Sequence, residues 1–152
     1  MINLSMTKNI LVPYDFTSFA EKAFEKATEI AKKFDSKLTL LGIIGSDINT
    51  SGMDWSRAQE AHDEAENKAK LDLNKIKDLH NDEHGDISVK IIHNPSIVDG
   101  IISFAENNQI DLIVMGSHGR SGFKKLVLGS VALGVATKAS IPVLIVKSSK
   151  SN

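Results

Sequence analysis

Two rhythms of apolar residues alternate along this chain. Short, nearly continuous apolar runs from Ile10 towards Asp15, Leu38 to Ile44, Ile87 to Ile92, Leu112 to Met115 and Ile141 to Val146 read as strands, and the first stops at Pro13 and Asp15. Between them the apolar positions recur at helical spacing. Ala20, Ala23, Phe24, Ala27, Ile30, Ala31 and Phe34 mark a first helix. Ala58, Ala61, Ala65, Ala69, Leu73, Ile76 and Leu79 mark a long second one, and Ile97, Ile101, Ile102 and Ala105 a third. A fourth covers Val131 to Lys138. Polar punctuation fits these bounds. Thr17 and Ser18 can cap the first helix, Ser18 with Glu21 and Ser56 with Gln59 have capping-box spacing, and Asp35 and Ser36 end the first helix. Gly85 suits a C-terminal cap of the second, Pro95 and Ser96 start a turn, and Asn107 and Asn108 close the third.

Strand and helix thus alternate to a fifth strand, with no tight hairpin signal and every crossover long enough for a helix. That order predicts an α/β fold: an open, five-stranded parallel sheet with helices on both faces, Rossmann-like. With strand order 3-2-1-4-5, the order reverses between the first and fourth strands, and ligands bind outside the carboxyl ends at such a reversal. Asp15 and Gly116 would then face each other across one crevice.

Composition narrows the classes of function. The 152 residues fit one domain, here taken as 1–152 with a polar tail at 148–152. A formal net charge of -1 gives no electrostatic case for nucleic acid or a membrane surface. Without cysteine there are no disulfides, thiol nucleophiles or thiolate metal sites. No apolar run nears the roughly 20 residues of a membrane span, and Met1 to Lys8 lacks the order of a secretory signal. A cytoplasmic protein is expected.

The least ordinary stretch runs from Asp111 to Ala132. A buried-looking strand enters a loop with Gly116, Gly119 and Gly122, carrying His118 and Arg120, and Gly129-Ser130-Val131 opens a helix. Glycines let backbone approach closely, and free amides with the helix dipole attract an anion, phosphate above all. Ser130 is the expected N-cap.

Gly116-x-x-Gly119, then nine residues, then Gly129-Ser130 resembles the nucleotide-binding signature of the universal stress protein family, G-x2-G-x9-G-[S/T]. Val12-Pro13 with Asp15 and Pro142 to Lys147 resemble the family's first and last strands, so the likeness spans the chain. It is not a Walker A loop, since no Gly-Lys-Ser/Thr occurs. The resemblance implies ATP as ligand. By it, Pro13, Tyr14 and Asp15 border adenine and ribose, Ile43 lines the adenine pocket, and Met115 and Gly116 lie at the ribose. His118, Gly119, Arg120 and Gly122 belong to the phosphate loop, and Gly129, Ser130 and Val131 offer groups to phosphate oxygens. A Mg2+ or Mn2+ ion could ride on the phosphates. It also implies a homodimer through Val143 to Val146.

One departure from the family is Gly42, where many members carry histidine; a looser pocket edge is expected there. The leading expectation is an ATP-binding stress-response or regulatory protein. The alternative is a slow ATPase or phosphoryl-transfer enzyme using the same site, although no water-activating base stands out. The plainer readings are that the loop glycines serve turns at positive φ, that Asp15 caps the first helix, and that His118 is a solvated loop residue. Lys124 and Lys125 read as solvated charges, Trp55 as local packing, and the His80/His84 pair as a fraying helix end more than a metal site.

Overall fold

The computed structural model describes residues 6–45, 49–80, 85–119 and 127–147. The chain runs β1 (Asn9–Pro13), α1 (Ser18–Phe34), β2 (Lys37–Ile44), α2 (Trp55–His80), β3 (Ile87–His93), α3 (Ile97–Asn107), β4 (Leu112–Gly116), α4 (Ser130–Lys138) and β5 (Val143–Val146). All strand pairs are parallel, in the order β3-β2-β1-β4-β5. This is the expected order, and it puts the reversal between β1 and β4.

Side-chain alternation splits the core between the sheet's two faces. Ile10, Val12, Leu38, Leu40, Leu112 and Val114 pack beneath α1 and α2 around Phe24, Ala27 and Leu73. Leu11, Leu41, Ile113 and Met115 pack beneath α3 and α4 around Ile101, Ala105, Ala132 and Val135. Every residue of β4 is buried, so its apolar run serves both faces. The β1–β4 pairing is pinned at its start by Asp111, whose Oδ2 accepts the amides of Lys8 at 2.8 Å and Asn9 at 2.9 Å. The crevice at the other end of these strands therefore rests on fixed backbone.

Helix starts depart in part from the expected caps. Of the two candidates Thr17 and Ser18, Thr17 caps α1, its hydroxyl accepting Ala20 N–H at 3.2 Å. The Asp54 carboxylate accepts Arg57 N–H at 2.8 Å, so the opening of α2 is capped two residues earlier than Ser56 predicts. Ser130 is the first residue of α4, and Gly129 occupies the cap. At α2 and α4 the chain enters the helix sooner than its most obvious hydroxyl. Gly85, the expected cap of α2, is separated from the helix end at His80 by residues 81–84, which lie outside the described residues.

α2 is the least embedded helix. Leu73 is its one fully buried residue, and Leu79, expected on its apolar face, is 77% exposed. Trp55 stands 79% exposed at its start, so it does not provide the packing expected of it. Among the described residues no helix is long and apolar enough to cross a membrane.

Candidate functional site

A cavity of about 870 Å³ opens over the carboxyl ends of β1, β2 and β4. Pro13, Tyr14 and Asp15 enter it from β1, Ile43 from β2, and Met115, Gly116, His118 and Gly119 from β4 and its loop. Ser130 and Val131 close it from α4. The two strand ends that sequence reasoning set opposite each other do meet. Asp15 Oδ1 accepts the Thr17 amide at 3.1 Å and the Thr17 hydroxyl at 2.6 Å. Its other oxygen, Oδ2, lies on the loop side, 3.0 Å from where a Cβ on Gly119 would stand. Asp15 therefore orders the turn into α1 without being the cap, and keeps one oxygen for the crevice.

The glycines of the signature answer to space, not to backbone angle. Gly52 is the only glycine at positive φ among the described residues, so Gly116, Gly119 and Gly129 are not turn glycines. A Cβ on Gly116 would come within 2.8 Å of the Phe19 carbonyl carbon and oxygen, so α1 can sit against the end of β4 only over a glycine. Gly116 thus serves helix–strand packing in addition to lining the crevice. A Cβ on Gly129 would stand 3.1 Å from His118 Cα and 3.2 Å from the Ser117 carbonyl oxygen, and the Gly129 amide donates to that oxygen at 2.8 Å. Gly129 braces the loop from behind and does not line the cavity. Gly119 differs from both, since the neighbour of its Cβ would be the tip of the Asp15 side chain.

His118 clamps the same loop. Its Nε2–H donates to the Val127 carbonyl, which leaves Nδ1 to accept the Ser117 hydroxyl at 3.1 Å. The ring rests against Phe19, centroids 5.2 Å apart. The residue expected to be solvated instead ties the loop's two ends together. α4 begins where the loop closes, with Gly129 as cap and no side-chain hydrogen bond to its first turn. Helix geometry leaves the amides of Ser130, Val131 and Ala132 without intrahelical acceptors, and all three residues line the cavity.

The remaining walls escaped the sequence reading. Ala65, Lys68, Ala69 and Asp72 of α2 form one side, with Pro95, Ile97 and Ile101 before and within α3 on another. Lys68 Nζ bonds Asp72 Oδ2 at 2.8 Å, and this contact holds the Asp72 carboxyl below its ordinary value. Gly42 lies under this wall, but the gap left by its missing side chain is filled. A Cβ there would meet Ile91 Cδ1 at 2.9 Å and Leu73 Cδ1 at 3.0 Å, so the looser edge expected at Gly42 is absent. The spacing of Ala65 with Ala69 and of Lys68 with Asp72 was visible on a helical projection. Which stripe faced the crevice depended on how α2 crosses the sheet.

Known proteins share this design. The model of the universal stress protein family matches residues 6–147. The chain belongs to that family. Universal stress protein MJ0577 of Methanocaldococcus jannaschii is 33% identical over 96% of this chain and 98% of its own length. Its solved structure superposes with a TM-score of 0.79 at 30% identity, covering 96% of this chain and 99% of that one. Universal stress protein YxiE of Bacillus subtilis is 30% identical over 93% of this chain and all of its own. The universal stress protein UspA of Lactobacillus plantarum superposes at TM-score 0.79 with 26% identity, covering 92% and 97% of the two chains.

Within this universal stress protein fold some candidates fall outside the crevice or outside view. Arg120, Gly122, Lys124 and Lys125 lie outside the described residues, as does His84. His80 bonds the Ile76 carbonyl through Nδ1 at 2.9 Å and meets the Phe24 ring at 4.8 Å, which explains its place without a metal. Tyr14 packs edge-to-face with Phe24 and Phe16. Burial raises its phenol pKa above 10.0, reinforced by Glu21, Asp15 and Glu25.

Proposed function

We propose that this universal stress protein binds ATP in the crevice over β1, β2 and β4, as a regulatory or stress-response protein more than a turnover enzyme. One observation carries the reading: the uncapped first turn of α4 and the open oxygen of Asp15 border the same cavity. A helix N-terminus without a side-chain cap favours phosphate oxygens through its amides and dipole. A carboxylate facing that end would repel phosphate but accept hydrogen bonds from ribose hydroxyls. The triphosphate therefore lies towards Gly119 and Ser130–Val131, with Arg120 and Gly122 in the same loop. The ribose lies at Asp15 and Gly116, and adenine lies in the apolar part by Pro13, Tyr14, Ile43 and Met115. Gly129 acts from behind, shaping the loop.

His118 bonds Ser117 and the Val127 carbonyl, and neither partner is a carboxylate that would make it a base. This favours holding ATP over cleaving it. Among the described residues no cluster of three His, Cys, Asp or Glu could hold a metal. A Mg2+ or Mn2+ ion would ride on the phosphates, leaving this chain's residues to bind and orient them. The whole chain, 1–152, acts as one nucleotide-binding unit in the cytoplasm. Nucleotide released by denaturing freshly purified protein and run on an anion-exchange column should elute as ATP or its diphosphate, in amounts comparable to the protein. Only trace, mixed nucleotide would count against the proposal.

The same reading extends to a homodimer through β5. It is an edge strand, and Leu144 on it is 37% exposed, so an unpaired apolar edge is available to a second copy. Light scattering should give twice the 16.5 kDa chain mass; a single-chain mass at micromolar concentration contradicts this.

A further inference from the structure

One wall residue is out of place by the ordinary rules of backbone and burial. Phe16 sits at φ 67°, in the left-handed region, where a bulky side chain is strained and glycine or asparagine is at ease. The strain is held from both sides. Asp15 Oδ1 accepts the Thr17 amide and hydroxyl, and the Thr17 hydroxyl accepts Ala20 N–H, so the residues on either side of Phe16 are tied to each other and to the first turn of α1. Backbone geometry therefore argues for glycine at this position, yet the chain places phenylalanine there. Its ring is not tucked into the core either. It is 44% exposed and lines the cavity.

The Phe16 and Tyr14 rings stand at 88° with centroids 5.1 Å apart, an edge-to-face contact that leaves the Phe16 ring part-exposed on the cavity wall. The α2 wall of the same cavity carries the small side chains of Ala65 and Ala69. Strained residues that surrounding bonds hold in place concentrate at ligand clamps. Aromatic faces take nucleobases by stacking, irrespective of base identity.

We infer that Phe16 is a positioning residue for the nucleobase, a preset aromatic wall against which the base of the bound nucleotide stacks. The inference rests on the nucleotide reading of the crevice and adds to it the residue that holds the base. It assigns the strain at position 16 to ligand binding and not to folding.

The test compares Phe16→Ala, Phe16→Gly and Phe16→Tyr with the wild-type chain, using ATP in calorimetry and fluorescent etheno-ATP in emission. Phe16→Ala should weaken ATP by about tenfold, the usual loss for a stacked base, and Phe16→Tyr should bind as wild type does. Emission from bound etheno-ATP should be quenched by wild type and Phe16→Tyr and brighter with Phe16→Ala. Ligand-free Phe16→Gly should melt at or above Phe16→Ala, since glycine relieves the strain, while binding ATP as weakly. Unchanged ATP affinity in Phe16→Ala overturns the inference alone. So does a Phe16→Gly chain that loses stability and affinity together. A wild-type chain that binds no ATP overturns the nucleotide reading and this inference with it.

Discussion

The crevice has two unlike ends. Towards α4 it is made of backbone: Gly116 under the first turn of α1, Gly129 against the Ser117 carbonyl, and a helix end with no side-chain cap. Towards α2 it is made of side chains on a helix with a single buried residue: Ala65, Lys68, Ala69 and Asp72. A backbone site tolerates no added atom, because the neighbours are main chain and cannot move aside. A side-chain wall on a half-exposed helix can be rebuilt one residue at a time. The first end suits a fixed anion, and the second can change without disturbing the backbone of the first.

That contrast can be broken at its rigid end first. Gly116→Ala drives a Cβ to within 2.8 Å of Phe19 main-chain atoms, and the overpacking should cost about 2–3 kcal/mol in denaturant unfolding. A loss below about 0.5 kcal/mol would mean that α1 shifts freely and the end is not rigid.

At the side-chain end the effects are small and depend on pH. Pairing with Lys68 favours the ionised form of Asp72, so the folded chain releases that proton at lower pH than the unfolded one. The pair's contribution is full above the ordinary value of 3.8 and fades as pH falls through the lower folded value. Asp72→Asn should leave the unfolding midpoint at neutral pH nearly unchanged, since the pair is exposed, and should make the acid limb shallower. An acid limb that superposes on wild type would remove Lys68–Asp72 as a working pair.

How much of this was legible in the sequence follows the same division. The strands were legible because apolar runs such as Leu112–Met115 are covered on both faces, and the long crossovers made them parallel; their order, 3-2-1-4-5, was an expectation that the crossovers alone do not fix and that the sheet bears out. The meeting of Asp15 with the Gly116–Gly119 loop followed from that order. The reason for the glycines was not legible. Gly116 is a glycine because of Phe19 on α1, a contact that exists only once the helix is packed. Ser130 looked like a cap because its hydroxyl is the local signal, but the close approach of residue 129 to Ser117 moves the helix start back by one. The α2 wall and Phe16 were missed for a related cause. Helical spacing shows which residues share a stripe and leaves open which stripe faces the cavity, and nothing in the local sequence marks a phenylalanine for a left-handed φ.

The central claim is that the backbone end of the crevice holds a nucleotide triphosphate, and Gly119 tests it most directly. Among the described residues, a Cβ at 119 would meet the tip of the Asp15 side chain and no main-chain atom, so a larger side chain there should spare the fold while filling the space proposed for the phosphates. Calorimetry on nucleotide-free protein should show saturable, one-to-one ATP binding, weakened at least about tenfold in a folded Gly119→Val chain, the 1.4 kcal/mol or more expected for a displaced phosphate contact. No heat of binding in the wild-type chain, or the same affinity in both, would contradict the account.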